Sequence, residues 1–304
     1  MVEAARDSEL ATEVFVLGYD SVTILDAHSG GNVATVPIGG APFAIVADAD
    51  SNQVYVTDLN HQRVLVVDVL LRRVVHSIEV GLAPSGMDID WKLKRIYAAN
   101  GGSDSVSVIS SPSNEIIDTI QVAPGPMSVA VNEQNHRIYV THPSHGVSVI
   151  DGESHEVVAQ IKLRDQSDQN AIVVDSVLNH VFVTNQYRST VTVIDGRTNR
   201  ILGSVRVGRT PVAAVMDPVR HLLYIANQDG NSVSILSSKT YKYLGGFRVG
   251  LGPSSLALDV QRQRLFIGNE GASTITVVNT KHYRKVMDIA MSHRPLGIAC
   301  CATY

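Results

Sequence analysis

The chain has 304 residues and a formal net charge of -4, so it lacks the global basic field that drives nonspecific nucleic-acid binding. No apolar run approaches the ~20 residues that a bilayer-spanning helix needs, which argues against a membrane protein. Met1 to Asp7 lack the basic and apolar regions of a signal peptide and the only cysteines, Cys300 and Cys301, are adjacent; the expectation is a cytoplasmic monomer unless a leader has been trimmed.

In chain order, residues 1–11 read as a loosely held tail, and 12–304 as one domain. Residues 13–38 supply three short strands. Six segments then repeat a four-strand pattern: Ala44 to Val80, Met87 to Val122, Ser128 to Leu163, Ala171 to Val207, Ala213 to Val249 and Ser255 to Ile289. In the third of these, blade four of the ring, Ser128-Val129-Ala130-Val131 is a first strand and Arg137 to Thr141 a second. Val147-Ser148-Val149-Ile150-Asp151 alternates as a third strand, and Glu156 to Leu163 is a fourth. Polar or Gly-containing turns separate them, which predicts an antiparallel meander.

One aromatic marks every second strand: Phe15, Tyr55, Tyr97, Tyr139, Phe182, Tyr224 and Phe266, at successive spacings of 40, 42, 42, 43, 42 and 42 residues. So strict a period means a repeat architecture. The N-terminal segment lacks a first strand, and Pro295-Leu296-Gly297-Ile298-Ala299-Cys300 has the composition of one. Together they complete a blade and close a ring without free sheet edges. The expected fold is therefore all-β: a seven-bladed propeller of four-stranded antiparallel blades.

The units Tyr55-Val56-Thr57-Asp58, Tyr139-Val140-Thr141-His142 and Phe182-Val183-Thr184-Asn185, with Gly-x-x-Pro type turns before them and Val-x-Val-Ile-Asp after, resemble the YVTN-repeat β-propellers. The resemblance covers about residues 12–304 and implies the propeller fold. It implies a range of functions, from surface and adhesion proteins and binding platforms to lactonase-like hydrolases and lyases.

The site has to come from side chains. In such a ring the loops between strands two and three and those between blades share a face, where a ligand is expected at the channel mouth. Two neighbouring loops there break the pattern. Arg164-Asp165-Gln166-Ser167-Asp168-Gln169-Asn170 lacks the usual proline, with eight residues between Leu163 and Ile172 against six between Val122 and Val129. In His142-Pro143-Ser144-His145, His142 replaces the repeat's Asn100, Asn185, Asn227 and Asn269, which read as structural residues bonding their own turns. Because Pro143 pushes His142 toward extended geometry, its ring is expected to be free to face the mouth.

His142, His145, Asp165 and Asp168 are thus the candidate acid–base residues, and His142, His145 and Asp168 candidate ligands of one divalent metal ion. Solvated histidines and turn-capping carboxylates are the competing explanation. Tyr19, Phe43, Met127, Asn170, Tyr187, Arg188, Arg209 and Arg294 are candidate ligand-binding residues, the arginines suited to share an anion. Phe43, Ser85, Met127, Val212, Ser254 and Leu296, which follow the turn prolines, are expected to face the axis as a mostly apolar lining. No Gly-x-Ser-x-Gly, HExxH, phosphate loop or paired CxxC occurs. Two functions stay open: a platform binding a small organic ligand, protein or peptide at the channel mouth, or a lactonase- or lyase-type enzyme.

Overall fold

A computed structural model describes residues 13–163 and 169–300. It forms seven four-stranded antiparallel sheets arranged as a ring, with a single 3-10 turn, Glu270–Ala272, among the described residues. Blade four runs Ser128–Asn132, Arg137–His142, Gly146–Asp151 and Val157–Ile161, as its polar turns require. Residues 1–11, expected as a tail, lie outside the described residues, as do Asp165, Asp168 and Cys301.

Ring closure follows the pattern read from the chain ends. Gly297–Cys300 pairs antiparallel with Val14 to Leu17 and becomes the innermost strand of blade one. It also packs against the inner strands of blades seven and two, Pro253–Asp259 and Pro42–Asp48. Ile298 joins the apolar cluster that includes Ala257 and Phe266, while Ala299 joins the one that includes Ile45 and Val56.

The core lies between blades, because alternate residues of each middle strand face opposite neighbours. Strands two and three are therefore apolar on both faces: Val54, Tyr55, Val56, Val64 and Val66 are all fully buried. The fourth strands face water on their outer side. In each blade a register shift late in strand three bends this outer strand, which blunts its exposed edge.

The repeated aromatics are core, and three of them, Tyr55, Tyr97 and Tyr139, are also clips between blades. All seven are buried to within 1%. The hydroxyl of Tyr55 reaches Asn114 Oδ1 in the turn of the next blade at 2.7 Å, and those of Tyr97 and Tyr139 reach the carbonyls of Gly152 and Gly196 at 3.4 and 3.3 Å. Burial pushes the Tyr55 hydroxyl up to about 12. Tyr55→Phe should lower stability by ~1 kcal/mol, the worth of one such hydrogen bond. Tyr139→Phe should cost less, since its bond is longer. Urea midpoints at matched slopes would measure both, and an unchanged midpoint for Tyr55→Phe would reduce the clip to packing alone.

The strand-three-to-four turns add a second set of ties. In blades two, three, four and six the last residue of this turn takes a left-handed conformation without being glycine: Arg72 at φ 54°, Asn114 at 57°, His155 at 61° and Tyr241 at 56°. Such geometry costs a side-chain-bearing residue free energy. Each side chain is used across the blade boundary. Arg72 pairs with Glu13 of blade one at 2.6 Å. Asn114 meets Tyr55 and Gln53 of blade two. His155 lies 2.6 Å from Asp118 of blade three, and Tyr241 2.9 Å from His180 of blade five.

Candidate functional site

One member of the blade-four sector, His142, is not placed as expected. His142 is fully buried, with Nε2 2.8 Å from the Ser148 hydroxyl and Nδ1 3.3 Å from the carbonyl oxygen of Pro124. A carbonyl can only accept, so Nδ1–H is the donor there. Burial depresses the imidazole to about 4, leaving it neutral near pH 7. The expectation of a ring facing the channel mouth is corrected: His142 ties the between-blade loop to its own blade.

Asn occupies this position in blades three, five, six and seven and performs a related task. Asn185 Nδ2 donates to Thr190 and Thr192 hydroxyls, Asn269 Nδ2 to those of Thr274 and Thr276, all within 3.1 Å. These asparagines are structural, as expected, although the bonds run largely to third-strand hydroxyls rather than to turn backbone. The between-blade loop is pressed against them: a Cβ at Gly250 would come within 2.6 Å of Asn269 Cγ. In blade four the matching loop residue is Ala123, and the third strand begins with Gly146 where the Asn blades carry Ser105, Thr190, Ser232 and Thr274, so room for the larger imidazole comes from the third-strand side.

His145 is exposed and lines a hollow of about 510 Å³ with Ser144, Gln160 and Lys162. Its backbone carbonyl accepts from Gln160 Nε2 at 2.7 Å. Asp165 and Asp168, its expected partners, lie outside the described residues, and the side chain of Asn170 is likewise not described. Among the described residues no group of three His, Cys, Asp or Glu side chains could hold a metal ion.

The remaining candidates are spread around the same face. Tyr19, Phe43 and Tyr187 are exposed, Arg188 and Arg294 stand on exposed loops, and Met127 is half-buried. Arg209 is tied within blade six by a bond from its guanidinium to the Asp229 carbonyl at 2.9 Å. Ser85, expected to face the axis, is buried and bonds the Met127 carbonyl of the next blade at 2.9 Å. None of Tyr19, Phe43, Met127, Tyr187, Arg188, Arg209 or Arg294 lines either hollow described here.

The larger apolar cavity opens on the opposite face, where strands one and two are joined. It measures about 520 Å³ and is walled by the inner strands of blades three to six, with Ile89, Val131, Val174 and Val215 among its lining. The turns Trp91 to Lys94, Glu133 to His136, Ser176 to Asn179 and Pro218 to His221 ring its mouth. Turns are usually polar. Here Trp91, Val177, Pro218, Val219 and Val260 contribute apolar surface, with Val177 62% and Val219 72% exposed. Glu133, Gln134 and Gln261 supply the polar part of the rim.

One carboxyl sits on the wall. Asp88 occupies the fifth position of the inner-strand repeat, opposite the strand-two aromatic, where the other blades carry Val46, Ala130, Val173, Val215, Ala257 and Ala299. Its oxygens accept from the Val131 amide at 2.8 Å and the Ile89 amide at 2.9 Å. Desolvation in the channel wall outweighs those bonds and, with the nearby negative charges of Glu133 and Asp90, pushes the carboxyl up to about 6. This residue was not among the expected ones. Stacking the seven inner strands in register reveals it as the single charge in an otherwise apolar column.

No family model matches the chain, and no curated protein sequence does. Solved structures do. A hydrazine synthase chain from Kuenenia stuttgartiensis superposes with a TM-score of 0.78 at 20% identity, over 88% of this chain and 92% of that one. A functionally unknown protein from Desulfotomaculum acetoxidans gives 0.80 at 17%, over 96% and 99%. Apo AztD from Citrobacter koseri gives 0.72 at 12%, over 94% and 97%. The likeness is one of fold. It confirms the seven-bladed ring and leaves chemistry to the residues themselves.

Proposed function

We propose that the protein is a recognition module of the YVTN-repeat kind, and that it holds a small organic ligand, or an apolar side chain of a partner, in the cavity on the strand-one-to-two face. The observation that supports this is the cavity itself: about 520 Å³, apolar on its walls, with a few converging polar groups, which is the usual make-up of a ligand site. Exposed valines on the turns around its mouth extend the apolar surface outward, as a binding rim would. The channel mouth remains the place of binding, at the opposite end from the one the loop pattern favoured.

A fragment set screened by thermal shift would test this. Fragments that raise Tm should lose their effect in Val215→Trp, which fills the cavity, and keep it in Tyr187→Ala, on the other face. The reverse pattern would return the site to the loops between strands two and three.

The near-neutral Asp88 favours a second reading, a lactonase- or lyase-type enzyme in which this carboxyl moves a proton within an apolar pocket. In that case Asp88→Asn would abolish turnover of a lactone and ester panel while ligand binding persists. His142, neutral and enclosed in its blade, is not supported in that role.

A further inference from the structure

We infer that the ligand of this cavity is an organic cation, an ammonium or guanidinium group on an apolar body, seated beside Trp91 with Asp88 and Glu133 as its counter-charges. The inference rests on the cavity reading above and adds the sign of the ligand's charge. Three observations carry it.

First, the lining holds two carboxylates and no lysine, arginine or histidine. Of the basic residues on the surrounding turns, Lys92 is held at the rim by the lining residue Gln134, and the others are engaged away from the cavity. Lys92 Nζ donates to Gln134 Oε1 at 2.9 Å, His136 Nδ1 lies 2.7 Å from Asp90, and His221 Nδ1 lies 3.0 Å from Asp175. Arg220 bonds Thr280 at 2.7 Å and Arg262 pairs with Asp259 at 2.9 Å. Lys94 faces Asp50 at 3.4 Å. The field inside the cavity is therefore negative, and low-dielectric walls concentrate it.

Second, Asp88 is incompletely satisfied. A carboxylate offers about four acceptor positions, and Asp88 uses two, both on backbone amides. It forms no ion pair among the described residues, and it belongs to the cavity lining. An ammonium or guanidinium is the partner that such a charge lacks. A neutral ligand would leave the charge uncompensated, and an anion would add to it.

Third, Trp91 is the only tryptophan in the chain and lies on the lining. An indole is the strongest aromatic partner of a cation. The apolar walls then take the body of the ligand.

The single tryptophan also provides the assay. Three probes sharing one apolar body, phenylbutylamine, phenylbutanol and phenylbutyrate, would be titrated into the full chain while Trp91 emission is read. Phenylbutylamine should bind roughly tenfold more tightly than phenylbutanol, the effect of one desolvated charge pair, and phenylbutyrate more weakly than either. Asp88→Asn should erase the amine's advantage and leave phenylbutanol affinity unchanged. The advantage should also fade as pH drops through about 6, where Asp88 takes up its proton.

Equal affinities for amine and alcohol would overturn the cation and leave the cavity standing, and an amine preference undiminished in Asp88→Asn would overturn Asp88 as its counter-charge. If none of the probes moves Trp91 emission, the cavity reading falls as well.

Discussion

A chain lacking the closing strand, residues 297–304, is expected to lose cooperative folding. The described part, Gly297–Cys300, contributes more than four residues of pairing, because it is the innermost strand of blade one and touches two neighbouring blades. Its loss strips cover from Ala257, Phe266, Ile45 and Val56, and bares Glu13–Leu17, a strand buried along its whole length. Burying one Ile is worth ~1.5–3 kcal/mol, and here two blade interfaces open together against a usual margin of ~5–15 kcal/mol. The new apolar edge should also recruit other chains. Size-exclusion chromatography should find aggregate and calorimetry no sharp transition. A monomeric deletion with a transition within a few degrees of the intact chain would show that closure is dispensable. Ile298→Asp is the milder version, with the same direction of effect.

The second large effect is a pair of opposed pH dependences. His142 is held at about 4 in the folded chain, below its ordinary 6.5, so between those values only the unfolded chain takes up the proton. Stability is lost as pH falls through that window, by up to ~3 kcal/mol. Asp88 behaves in the opposite sense. Its folded value is about 6 against an ordinary 3.8, so the folded chain protonates first and gains stability as pH falls between them. The windows overlap and the two contributions largely cancel in the intact protein. Single variants should uncover them. On acidification from about pH 7 to about pH 4, His142→Asn should hold or gain stability relative to the parent, and Asp88→Asn should lose it faster. Carboxylates held low by turn bonds, such as Asp26 and Asp151, are common to all three chains and cancel in the differences. Urea midpoints across the range provide the test, and parallel curves would refute both assignments.

Most of the fold was legible because the repeat states it many times over. The aromatic period fixes strand two, alternation fixes strand three, and the missing first strand at one end matches the spare strand at the other. The site was harder to read for physical reasons. A meander places loops on both faces of the ring, and nothing in the loop sequences says which end of the channel is hollow. That depends on side-chain volumes such as Val131, Val174 and Val215, which look alike in every blade. His142 differs from its expected placement because its accommodation is spread over Gly146, which leaves space, and Ser148, which bonds the ring, and neither alone signals burial. Asp88 was missed because it lies in a strand, whereas polar residues were sought in loops.

The strained turn residues Arg72, Asn114, His155 and Tyr241 carry a consequence for how the chain encodes order. Each reaches a partner that only one other blade supplies: Glu13, Gln53 with Tyr55, Asp118 and His180. Glycine would relax every one of these turns and leave the boundary unmarked. The seven repeats are alike in outline, yet these four interfaces are each keyed like a lock to their own neighbour. A blade moved to another place in the ring would find the right shape and the wrong partner, stranding buried Glu13 without its cation. The repeats share an architecture but are not interchangeable parts.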